Sequence, residues 1–201
     1  MWPWEHVAFA YLLASTYTHW RLGRSPGEYA AIGVVLASQL PDLVDKPFAW
    51  VLGVLPGGQS LAHSLFVAIP FVLLTLAVAR SRTSPGARVA GAAVSIAYLS
   101  HLVGDVIYPL ATGHGIQVRF LFWPLLPVGG GATHPDVLAY VAHLAGAFLG
   151  FLSTPLGLLY LALEVGLLAA GLLRWLRDGT PGLALLRTLL VRRRSLRDQR
   201  R

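Results

Sequence analysis

From Val137 to Leu173 the chain carries a single ionised side chain, Glu164, amid leucine, alanine, valine and glycine. No water-facing surface is built from such a run, because a soluble helix needs a polar face. Four further apolar stretches precede it, at about Val7 to Trp20, Tyr29 to Val44, Leu61 to Ala79 and Val89 to Leu110. A bilayer solvates such segments directly and requires about 20 residues per helical span. Charged residues make up 12% of the 201, against about 25% in soluble domains. The chain is therefore read as all-α, a polytopic integral membrane bundle with about five transmembrane helices. The last stretch is long enough for one span plus an interfacial piece, or for two short spans broken near Pro155. Trp2, Trp4, Trp20, Trp50 and Trp123 flank the stretches, as interfacial aromatics do.

Basic residues give the direction. Arg21 and Arg24 follow the first stretch, Arg80, Arg82 and Arg88 separate the third from the fourth, and nine of the 16 Lys and Arg residues lie between Arg174 and Arg201. These share one side if the fifth stretch crosses an odd number of times, leaving Lys46 and Arg119 on the other. The positive-inside rule then places the N-terminus outside and the C-terminus in the cytoplasm of a multi-pass cell-membrane protein. Residues 1–175 form the membrane domain, and 176–201 a basic cytoplasmic tail facing anionic lipid. Within the tail, Leu183 to Val191 reads either as a basic amphipathic helix on the inner leaflet or as a frayed end. The net charge of +7 belongs to this tail rather than to a groove for nucleic acid. Membrane lipids are the expected partners, and oligomeric state is not legible. With no cysteine, disulfides, thiolate zinc sites and thiol catalysis are excluded. The N-terminus lacks the basic region and cleavage site of a signal peptide. The glycine run Gly129 to Gly131 has no following Lys-Ser/Thr, so it is no phosphate loop.

Against this background, ionisable side chains within spans are functional candidates. They are His6, Asp42, Asp45, His63, His101 and Asp105. With the arginine-derived topology all six fall towards the outer ends of four segments. His101 and Asp105 are four apart and share a helix face. Asp42 and Asp45 close the second stretch beside Pro41, and two such carboxylates repel unless a cation or proton lies between them. Each taken alone has a plainer reading: a helix-locking hydrogen bond, a loop with Lys46 as counter-ion, a polar helix edge. Together they offer nitrogen and oxygen without sulfur, a donor set for one or two divalent ions, Zn²⁺ first and Mn²⁺ or Fe²⁺ as alternatives. In a hydrolase, Asp42, His63, His101 and Asp105 are the expected ligands. His6 is a fifth ligand or an orienting group, and Asp45 a ligand or general base. A phosphoester or lipid substrate suits the depth. A transporter of the same ion, or a structural protein that has lost activity, uses the same residues differently.

The motifs Glu5-His6, Leu40-Pro41-Asp42 with Asp45, Ala62-His63-Ser64-Leu65, Ser100-His101 with Asp105, and Phe122-Trp123-Pro124 occur in that order. In order and spacing they resemble the YdjM-like membrane-bound metal-dependent hydrolase family over about residues 5 to 127. The resemblance implies an inner-membrane protein with a metal-dependent site on these residues. Two positions depart from the family pattern. Lys46 stands where a histidine follows the second aspartate, and Pro56-Gly57-Gly58-Gln59 replaces a His-Arg-Gly stretch.

Overall fold

A computed structural model describes residues 1–129, 134 and 136–185, all helix, turn and loop, with no strand among them. Six helices follow one another: α1 (Pro3–Leu22), α2 (Glu28–Lys46), α3 (Leu65–Arg80), α4 (Pro85–Ala111), α5 (Val137–Leu152) and α6 (Pro155–Arg177). A wide π turn, Pro47–Val51, extends α2, and a 3₁₀ turn spans Arg119–Phe122. The all-helical expectation holds. By length and composition two helices, α4 and α6, are long and apolar enough to cross a membrane, while α3 and α5 are apolar but shorter. Between them α1 and α2 carry Glu5, His6, Gln39, Asp42 and Asp45, which dilutes the apolar signal that a span count depends on.

Helix ends follow local chemistry. Glu5, in the first turn of α1, turns back to accept the Trp2 N–H at 2.5 Å, and α1 ends at Gly23 in the left-handed region. Ser64 caps α3 by accepting the Phe66 N–H, and Thr154 caps α6 by accepting from Gly157. The long fifth apolar stretch therefore breaks at Ser153 and Thr154, and Pro155 opens the next helix.

Packing sets helix direction. At the centre α4 packs against α1, α2 and α3, and α6 packs on α1. Trp4 Nε1 donates to Glu164 at 2.7 Å, and the Tyr160 hydroxyl donates to Glu5. Further along, Arg174 Nε donates to the Ser15 hydroxyl and His19 Nε2 lies 2.9 Å from Asp178. α1 and α6 thus run parallel. α3 and α4 run antiparallel, since a Cβ on Gly91 near the start of α4 would meet Ala79 near the end of α3. Phe71 stacks on Tyr98 between them. α5 keeps to the end holding the α1 N-terminus: Tyr140 packs on Trp50, Phe148 on Trp2, and Phe151 on Tyr160. One end of the bundle then holds Glu5, His6, Asp42, Asp45, His63 and Asp105. The other holds the α1–α2 turn, the α3–α4 turn and the α6 C-terminus, with their arginines.

That arginine end is fastened by Asp178, which caps α6 and whose side chain is almost fully buried. It accepts from the Tyr11 hydroxyl at 2.8 Å and the Ser15 hydroxyl at 2.5 Å, and its Oδ1 meets His19 at 2.9 Å and Arg174 at 3.6 Å. Burial pushes this carboxyl up, but the bonds from Ser15, His19 and Tyr11 and the Arg174 charge together hold it below the usual carboxylate range. A carboxyl depressed in the fold stabilises above its unfolded pKa, near 4, and loses that contribution as pH falls through the folded value. Asp178→Asn is expected to cost about 2 kcal/mol at neutral pH, and the gap between variant and wild type closes on acidification. Thermal melts in detergent from neutral pH to acid, both proteins side by side, check this.

The predicted outer-loop glycines Gly130 and Gly131 and most of the basic tail, including Leu186 to Val191 of the proposed amphipathic helix, lie outside the described residues.

Candidate metal centre

Asp45 organises the entrance to α3. Its carboxylate is fully buried and accepts the backbone N–H groups of Ser60 at 2.7 Å, Ala62 at 2.9 Å and His63 at 3.3 Å. The same Oδ2 takes His63 Nδ1 at 2.8 Å. This explains why α3 begins at Leu65 rather than at Leu61: residues 60–63 are wrapped around a carboxylate before the helix starts. The Tyr98 hydroxyl, from α4, donates to the Ala62 carbonyl, and the Ser64 hydroxyl to the Trp123 carbonyl, so the turn is held on three sides.

Because a carboxylate only accepts, His63 Nδ1 carries its proton towards Asp45, and in the neutral imidazole Nε2 is left with a lone pair. His101 is fixed in the same way. Its Nδ1 lies 2.6 Å from the Ser38 carbonyl, which only accepts, so its Nε2 is also bare. These two Nε2 atoms point at each other across 3.1 Å. Asp105 Oδ2 lies 3.3 Å from the first and 3.5 Å from the second, and Asp42 Oδ1 lies 3.5 Å and 3.8 Å away. Two lone pairs and two carboxylate oxygens facing one point repel unless a cation sits between them.

The spacing matches a metal ion better than a proton. Tetrahedral zinc with bonds of 2.0–2.1 Å separates its ligands by about 3.3 Å. A single proton, moreover, serves only one donor–acceptor pair. His6 adds to the argument. Buried on α1 and stacked on His101 with ring centroids 3.7 Å apart, it has no hydrogen bond at either ring nitrogen, although Nε2 comes within 3.2 Å of Asp105 Oδ1. Gly104 makes room for it: a Cβ there would stand 3.3 Å from the His6 ring. Two buried groups could hold an ion, His6 with Asp42 and His101, and His63 with His101 and Asp105. The carboxylates have further partners. Asp105 accepts from Gln59 Nε2 at Oδ2 and from the Met1 amino group at Oδ1, both at 2.7 Å, and Lys46 Nζ lies 2.5 Å from Asp42 Oδ2.

The structure thus draws five of the six candidates together, His6, Asp42, His63, His101 and Asp105, in two groups that share His101. It puts Asp45 one layer out, facing the far nitrogen of His63 with both oxygens occupied. Ser38, Gln59 and the Met1 amine were not among the candidates. Ser38 acts through its backbone carbonyl, which no side-chain pattern reveals, and Gln59 entered the sequence reading only as a departure from a family motif.

Neither a curated protein nor a solved structure matches this chain. A family model does, that of the YdjM inner membrane protein, over residues 1–179. That match spans every residue of the site and all six helices, and with the two helices long and apolar enough to cross a membrane it makes this a protein of the cell's inner membrane. The chain belongs to the YdjM inner membrane protein family.

Proposed function

We propose that the protein is a membrane-embedded metal-dependent hydrolase with one divalent ion, Zn²⁺ before Mn²⁺ or Fe²⁺, held at the extracytoplasmic end of its bundle. The observation that carries this reading is the pair of bare Nε2 atoms of His63 and His101, 3.1 Å apart between two carboxylates. His101 also supports a single ion. Its Nδ1 is committed to Ser38, so a single nitrogen is common to both candidate groups, and two ions cannot both have it. The arginines at the opposite end support the outward orientation of the site by the positive-inside rule.

An ion so held supplies a water of lowered pKa and a Lewis acid for a phosphoryl or acyl oxygen. The chain's own residues do the rest. Asp45 and the Ser38 carbonyl keep both imidazoles in the tautomer that presents Nε2. Asp42 and Asp105 bring negative charge; Lys46 holds the second oxygen of Asp42 and the Met1 amine that of Asp105, while Gln59 donates to the Asp105 oxygen that faces the histidines. His6, whose ring nitrogens have no hydrogen-bond partner among the described residues, is a fifth ligand or takes a proton at Nε2 beside Asp105. Asp45 has no free oxygen for a general base, and a positioning role replaces that expectation.

The test is turnover. Detergent-purified protein is stripped with chelator, reloaded with Zn²⁺, Mn²⁺ or Fe²⁺, and assayed on soluble phosphoesters, phospholipids and acyl esters. Activity that disappears with the ion and returns with it is expected. Ion bound without turnover on any substrate would leave a degenerate, structural site, and ion flux in proteoliposomes lost in His101→Ala would make it a transporter.

A further inference from the structure

Among the five side chains of the site, that of Asp42 is the most exposed. Side chains of His6, His63 and His101 are 0% exposed and that of Asp105 is 3%, whereas Asp42 reaches 10% and Lys46 30%. A substrate that reaches the ion through the ligand shell thus passes Asp42 and meets the Lys46 ammonium.

Lys46 is held in place rather than left to wander. One of its three N–H donors goes to Asp42 Oδ2 at 2.5 Å, and its Nζ lies 5.6 Å from the centroid of the Trp50 ring, a cation–π distance. Trp50 is itself boxed in. Tyr140 of α5 meets it edge-on at 5.2 Å, His134 stacks on Tyr140 at 3.5 Å, and the His134 N–H donates to the Trp50 carbonyl. Gly58 closes the other side. A Cβ there would lie 3.1 Å from Trp50 Nε1 and 3.3 Å from Lys46 Cγ, so the loop approaches both side chains only because it carries none. Among the described residues nothing else accepts from the ammonium, which leaves two of its donors for a ligand.

Around this cation the surface is apolar. Leu43, Phe48, Val51 and Leu52, on the last turns of α2 and the π turn, are all exposed. In a membrane protein these side chains face acyl chains. A fixed ammonium with spare donors, beside a site for a divalent ion and within an apolar collar, selects a ligand that is anionic at one end and apolar at the other. Lysine binds phosphate as a point charge.

We infer that Lys46 is the headgroup-recognition residue of this site, and that its substrate class is a phosphate-bearing amphiphile entering past Phe48 and Leu52. This rests on the hydrolase reading for the word substrate, but the binding it asserts is measurable without turnover. The phosphate supplies the anion for the spare Lys46 donors and, through a second oxygen, can approach the ion. The tail stays in the bilayer beside the collar.

The experiment is equilibrium binding to the full-length protein in an uncharged detergent, followed by Trp fluorescence, in parallel with metal analysis. The probes are lysophosphatidic acid, a monoacylglycerol of the same chain length, and glycerol 3-phosphate. Wild type should prefer lysophosphatidic acid to each of the others by about tenfold or more. Lys46→Met should erase the preference over monoacylglycerol when compared with wild type at equal metal occupancy, and Lys46→Arg should keep the preference to within about threefold. Gly58→Val, which displaces Lys46 and Trp50 without removing the charge, should weaken lysophosphatidic acid binding in the same direction. Equal binding of the phosphorylated and neutral lipids by wild type overturns the inference, as does an undiminished preference in Lys46→Met. Glycerol 3-phosphate binding as tightly as the lipid overturns the amphiphile part. If Lys46→Met does not fold, the wild-type preferences and Lys46→Arg still decide. Wild type without metal but with the phosphate preference intact would contradict the hydrolase reading and leave this one standing.

Discussion

His101→Ala is expected to abolish metal binding, with affinity falling by at least about a hundredfold. Changes in partners one layer out already cost 10–100-fold, and His101 sits inside that layer. It is common to both groups that can hold an ion, and its Nε2 faces His63, Asp42 and Asp105 at 3.1 to 3.8 Å. Removing it also removes the ring on which His6 stacks. His6→Ala should do less, because His63, His101 and Asp105 remain as a complete group. Competition titration with a chromophoric chelator on the two variants checks the order. A His101→Ala protein that holds its ion as tightly as wild type would remove His101 from the site.

The second large effect is at Asp45, and it reads out in folding as well as in metal. Its buried carboxylate collects three backbone N–H groups and one imidazole N–H. In Asp45→Ala those four donors lose their acceptor at a site sealed from water, at a cost of about 3–5 kcal/mol. The turn over residues 60–63 comes loose, His63 loses its tautomer, and metal affinity falls about 10–100-fold. Asp45→Asn should sit between. Its amide oxygen still accepts from part of the set, but its NH₂ meets donors where the carboxylate met them with lone pairs. The discriminating pattern is that Asp45 variants lose thermal stability even after the ion is chelated, whereas a pure ligand variant differs from wild type mainly when metal is present.

Much of this architecture is written in side chains. Apolar runs locate the helices, and arginines distinguish the two ends of the bundle, because charge placement is read residue by residue. Spacing places His101 and Asp105 on one face, since a helix brings positions four apart together. Lys46 beside Asp42 is legible as a counter-ion for the same reason. The division of labour between Asp42 and Asp45 is not. Both carboxylates look alike in the sequence, and only the path of residues 57–63 turns backbone donors towards one and leaves the other facing the histidines. The long stretch from Val137 to Leu173 left one crossing or two open, because apolar content does not say which way a helix runs. Contacts of Tyr140, Phe148 and Phe151 keep α5 at the site end. Asp178 was hidden for a different reason. At the end of an apolar helix next to arginines it reads as a solvated cap, and its partners Tyr11, Ser15 and His19 lie more than 150 positions away.

The central claim is that the buried histidines and aspartates form one metal centre. Elemental analysis of the wild-type protein, purified in detergent without added metal or chelator, tests it most directly. One divalent ion per chain is the result this account requires, falling to a trace in His101→Ala. A folded wild-type protein that contains no ion and takes up none on addition of Zn²⁺, Mn²⁺ or Fe²⁺ would contradict it.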